Sequence, residues 1–210
     1  MRLVLLCGWC GAAAGALCAG ERITYAKSFP GSSPAFVAIT VESSGEVVYK
    51  EAEDDDAPAK LKLEPEEAAA IFELARRLDR FQKPLESGLK VANLGLKTLR
   101  WEDGSGRWEQ KFNYSLNDDA RALVAWFEKI TDTEQLYFQL ERAVKYDRLG
   151  VNKAVLQLNA AWDRKGLVAV EQFLPLLDRV AKNEGFLNMA RDRAAALAEA
   201  FRSRKAKPGE

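Results

Sequence analysis

An α+β fold is predicted by two observations: apolar residues alternate with period two through the first half of the chain and recur with helical period through the second. Glycine-rich turn signals inside the first half, at "ESSGE" and "EDGSGR", add that its strands pair as hairpins. The expected architecture is a small antiparallel sheet of two hairpins packed on a helix, followed by a C-terminal helical bundle. Its parts are expected at 1–20, 21–131 and 132–210: a signal peptide, an α+β domain and a helical domain packed against it.

The elements follow in order. Ala35, Val37, Ile39 and Val41 share one face of a strand, the chain turns at Gly45, and Val47, Val48 and Tyr49 return. After the acidic loop "EAEDDDAP", Leu61 and Leu63 suggest a third strand. Pro65, with Glu66 and Glu67 beside it, opens a helix whose Ala68, Ile71, Phe72, Ala75 and Leu78 keep helical spacing and which is expected to end near Arg80. Leu99 and Trp101 lead into the second hairpin, and Trp108, Phe112 and Tyr114 lead out, so its aromatic face is expected to pack on Ile71 and Phe72.

From Ser115 onward the signals are helical. Ser115 and Asp118 stand at capping-box spacing, and Leu123, Trp126, Phe127 and Ile130 make an apolar stripe. The boundary between the halves is placed at "TDT", residues 131–133. Beyond it Leu136, Leu140, Val144, Val151, Val155, Leu158 and Trp162 stay in phase, with Gly150 as a bend or break. Two shorter helices carry Phe173, Leu174, Leu177 and Val180, then Leu187, Ala190, Ala194, Leu197 and Phe201. Pro175 is expected to kink the first, and Gly185 suits the turn between them.

All three cysteines, Cys7, Cys10 and Cys18, fall in the first twenty residues, where Arg2 precedes an apolar run rich in alanine and glycine. That is the layout of a secretory signal peptide, too short and too weakly apolar for a span of about 20 residues. Cleavage is expected between Ala16 and Glu21, with a lipoprotein start at Cys18 as the alternative. The mature chain then has no cysteine and, like the whole chain, no histidine. Zinc sites of Cys and His, nucleophiles driven by His and imidazole catalysis are thereby excluded. Any catalysis falls to carboxylates, Lys, Tyr or Ser.

Composition is that of an ordinary folded protein, 48% hydrophobic and 30% charged, with 31 basic and 31 acidic residues. No global basic field is available to hold nucleic acid. Glu51, Glu53, Asp54, Asp55 and Asp56 offer carboxylates to calcium, but without the acid spacing and central glycine of a calcium loop they read as a solvated connection. "SGLK", Ser87 to Lys90, matches the S-x-x-K acyl-transfer pattern, yet Lys97-Thr98 is followed by Leu99 where K-T-G is required. "NYS", Asn113 to Ser115, matches a glycosylation acceptor pattern that carries weight only in a eukaryotic source, and it reads as a chance occurrence. Arg202, Arg204, Lys205 and Lys207 form a basic tail, favoured at a helix C-terminus and also suited to an anionic membrane surface or acidic partner.

The segments "FPGSSPAFVAITVESSGEVVYKE" and "LRWEDGSGRWEQKFNY" resemble an uncharacterised domain of bacterial exported proteins, over residues 22–131. That domain has Cys-Pro leading into a strand, a glycine turn and an aromatic-ended second strand. Here Ser33-Pro34 stands at the Cys-Pro position, while Gly45 and Tyr49 fit. The resemblance implies export and a fold, and no activity. The expected function is a non-catalytic, periplasmic or secreted module that binds a protein or surface of the cell envelope, with no cofactor, no nucleic acid and no transmembrane segment in the mature chain. The alternative is a hydrolase working through paired carboxylates, for which Glu102 and Asp103 are candidates by number alone, in a hairpin turn where water is expected to keep both ionised.

Overall fold

Alternation in the first half closes into one antiparallel sheet of six strands: β1 (Arg22–Ser28), β2 (Phe36–Glu42), β3 (Glu46–Lys50), β4 (Ala59–Lys62), β5 (Leu96–Asp103) and β6 (Gly106–Phe112), in the order β4-β3-β2-β1-β5-β6. The computed structural model describes residues 20–205. Both expected hairpins are present, but β1 lies between them and joins them into one sheet. Ile23 pairs with Val41 on one side and Trp101 on the other. "RITYAKS" hides this central role, because only Ile23 and Tyr25 on its inner face are apolar.

Ile23, Tyr25, Val37, Ile39, Val41, Val47, Tyr49, Leu99 and Trp101 are buried on the inner face. Thr24, Ala26, Ala38, Thr40 and Thr98 occupy rungs of the other face, as an antiparallel sheet permits. Gly45 makes the first hairpin possible: its φ is +87°, and a Cβ there would stand 2.9 Å from the Leu63 carbonyl oxygen.

Helix α1 (Pro65–Arg77) packs Ala68, Ile71, Phe72 and Ala75 on the inner face, and Phe72 meets Trp101 edge-on at 5.7 Å. It ends before the expected Arg80, because Asp79, Arg80 and Phe81 adopt positive φ. Three such residues cost about 1–2 kcal/mol each. Burial of Phe81 and the Arg80 guanidinium over Trp101, at 5.4 Å, offset that cost.

Helix α2 (Asp118–Tyr146) is capped by Asn117, whose side chain accepts the amides of Asp119 and Ala120, in place of the expected Ser115. Residues 131–133 lie inside α2, not between elements. Thr131 and Thr133 donate their hydroxyls to the carbonyls of Phe127 and Lys129 and so do not interrupt it. Two cores nevertheless separate along the helix: Leu123, Phe127 and Ile130 belong to the sheet core, Leu140, Ala143 and Val144 to the helical one.

The chain breaks at Asp147–Gly150, as Gly150 suggests, and continues as α3 (Val151–Asp163), α4 (Leu174–Lys182) and α5 (Asn188–Lys205). Pro175 sits in the first turn of α4, where its missing amide costs nothing, and so opens that helix instead of kinking it. Leu167 to Val170 run buried between the two cores. Buried amides need partners. Thr133 Oγ1 accepts from Val168 and Glu67 Oε2 from Ala169, at 3.2 and 3.1 Å. Among the described residues no helix is long and apolar enough to cross a membrane.

Candidate functional site

Several expected site residues are engaged inside the molecule. Arg202 forks onto both carboxylate oxygens of Asp178 at 2.7 Å, and Arg204 donates to Glu67 Oε1 at 2.8 Å. Lys205 closes α5, and Lys207 lies outside the described residues, as does the expected signal segment up to Ala19. Glu102 pairs with Arg22 and Arg107. Asp103 accepts the Ser105 hydroxyl and amide, the Gly106 amide and the Trp101 indole, which together hold its carboxyl far below the usual range. A general acid needs the opposite shift.

The remaining motifs are built into loop structure. Ser87 Oγ accepts the Leu89 amide and donates to Glu86. The Asn113 amide donates to the Ala92 carbonyl and accepts from Leu94, so the side-chain nitrogen of the "NYS" pattern serves the loop at 86–95. Lys97 completes that loop by donating to the carbonyls of Leu94, Gly95 and Asn113. Of the acidic run, Glu51 accepts the Tyr49 hydroxyl and the Gln135 amide, and Asp55 accepts the Ala57 amide. No group of three acidic side chains among the described residues converges as a metal site.

One titratable cleft was not anticipated. A cavity of about 440 Å³ between β3, β4 and α2 is lined by Tyr49, Glu51, Glu134, Tyr137, Phe138 and Gln172, among others. Glu134 is 1% exposed and takes one hydrogen bond, from Gln172, at 2.8 Å. Burial pushes its carboxyl up to about 7, against the Gln172 bond, with Glu51 adding to the rise. The signal was present: Glu134 is in phase with Leu123, Phe127 and Ile130 on the buried face of α2. A carboxyl poised there can hold or release a proton near neutrality. It is one buried acid, since its neighbour Glu51 is exposed.

Apolar side chains also reach water. At the far end of the helical half Tyr146 is 82% exposed and Leu149 79%, with Leu187 and Met189 at 52% and 64%. Arg148 Nε donates to the Gly185 carbonyl, which ties the α2–α3 loop to the α4–α5 loop, the two connections that these residues occupy or flank. Leu89, Val91, Leu94 and Leu96 are exposed on and beside the 86–95 loop. No family model matches the chain, and no curated protein sequence does either.

Proposed function

We propose that this chain is an exported, non-catalytic module that binds another protein of the bacterial cell envelope through the far end of its helical half. The observation that carries the proposal is the exposure of Tyr146 and Leu149 beside Leu187 and Met189, since large apolar groups gathered at one end favour a partner surface over water. Export rests on the charged, apolar and small-residue layout of the first twenty residues. Lys145, Asp147, Arg148 and Glu184 mix both signs around the apolar group, so an anionic lipid gains little there and an apolar protein surface is the better fit.

The test is capture from the native cell by the tagged chain, with Tyr146→Ser/Leu149→Ser alongside. The expected result is one defined envelope protein retained at high salt and lost from the variant, whose melting temperature is unchanged. Equal recovery by both, or recovery of nothing but the chain itself, overturns the proposal. Flotation of the wild type, but not the variant, with anionic vesicles does so too, in favour of a membrane surface. The hydrolase reading draws on Glu134 alone. Its second acid would be Glu51, whose exposure and bonds to Tyr49 and Gln135 suit a structural role better.

A further inference from the structure

On the other flank of α2 a second cleft, of about 600 Å³, is lined by Lys129, Trp162, Asp163, Lys165, Leu167 and Arg204. We infer that this cleft binds a small monoanion with a flat apolar body, an aromatic carboxylate being the simplest case. This is independent of the protein-docking surface proposed above.

Three elements that are remote in sequence each bring a cation: Lys129 from α2, Lys165 from the turn after α3, and Arg204 from the end of α5. Two carboxylates oppose them. Glu67 holds one amino nitrogen of Arg204, and Asp163 lines the cleft with Asn159 donating to it. One positive charge is therefore left over, which suits a monoanion.

The apolar part of the ligand has its own wall. Trp162 is held edge-on against Phe201 at 4.9 Å, so its indole is already positioned, and Leu167 is 3% exposed. Lys129 rests over the Trp126 ring at 5.1 Å, partly withdrawn from water. Burial lowers the pKa of its ammonium, so a carboxylate arriving beside it replaces solvation the lysine has lost. The volume falls in the range of small-molecule sites, about 300–1,000 Å³, which bury apolar bodies and orient them with a few polar groups.

The probe is 2-naphthoate, titrated calorimetrically into the mature chain, with acetate and 2-naphthalenemethanol as the anion-only and ring-only controls. Saturable binding of one equivalent is expected, with Kd of about 100 μM or tighter, and both controls are expected to bind at least about tenfold more weakly. Lys165→Met, at an exposed position, is expected to weaken naphthoate about tenfold without moving the melting temperature, and Lys129→Met/Lys165→Met to abolish binding. Absence of saturable binding to the wild type overturns the inference. So does equal affinity for either control, or an unchanged affinity in Lys165→Met.

Discussion

The two flanks of α2 each bury a glutamate, and they treat it in opposite ways. On the flank of the cationic cleft, Glu67 is 4% exposed and accepts from the amides of Glu64 and Ala169 and from the Arg204 guanidinium. On the other flank Glu134 is 1% exposed and has the Gln172 amide, with a second carboxylate, Glu51, nearby. Burial is equal to within a few percent, so burial does not separate the two. What differs is whether the charge is answered. Glu67 ties three elements together through its hydrogen bonds and its pair with Arg204, whereas Glu134 is driven toward its neutral form.

Removing the answered charge has the largest expected effect. Glu67→Ala leaves Arg204 and the buried Ala169 amide without their acceptor and is expected to cost about 3 kcal/mol. Urea denaturation measures this, and Glu67→Gln, which keeps an acceptor oxygen, is expected to lose less. A cost below about 1 kcal/mol would mean that Glu67 does not join the two cores.

Removing the unanswered charge is expected to stabilise. The Glu134 carboxyl is raised from 4.5 to about 7 in the folded chain, so between these values the unfolded chain releases this proton first. Stability from this group is greatest below pH 4.5 and falls as pH rises to 7, by about 3 kcal/mol from about 1.4 kcal/mol per unit. Glu134→Gln is expected to gain about 2 kcal/mol at pH 8 and little at pH 4, which denaturation at the two values measures. An equal effect at both would show that Glu134 stays ionised throughout.

The smallest effect is expected where the ion pair faces water. Arg202 and Asp178 are partly exposed, with side chains at 46% and 36%, and Arg202→Ala is expected to leave the urea denaturation midpoint almost unchanged. A larger loss would show that the end of α5 depends on this pair for its docking.

Much of the fold was legible in the residues. Gly45 and the "EDGSGR" turn mark hairpins because a positive φ and side-chain capping are local demands. Phe72 and Trp101 meet as expected because helical spacing and strand alternation each orient one face. The least legible strand was β1, whose inner-face Lys27 breaks the apolar alternation and whose place depends on both neighbouring hairpins. The boundary expected at residues 131–133 falls inside α2, where the Thr131 and Thr133 hydroxyls bond back to their own helix, so no loop marks the passage from one core to the other. Of the candidate sites, the basic tail was visible, but its Arg202 and Arg204 proved to be partners of Asp178 and Glu67, on elements far away in sequence.

By itself the sequence determined the periods, the turns, the absence of histidine and therefore the chemistries closed to this chain. Each follows from a residue and its near neighbours. Only the tertiary structure decided which glutamate is answered by an arginine, which lysines face one cleft and which apolar side chains remain in water. Those outcomes rest on burial and on pairs as distant as Glu67 and Arg204, and no local pattern carries the free energy of a contact made across the fold.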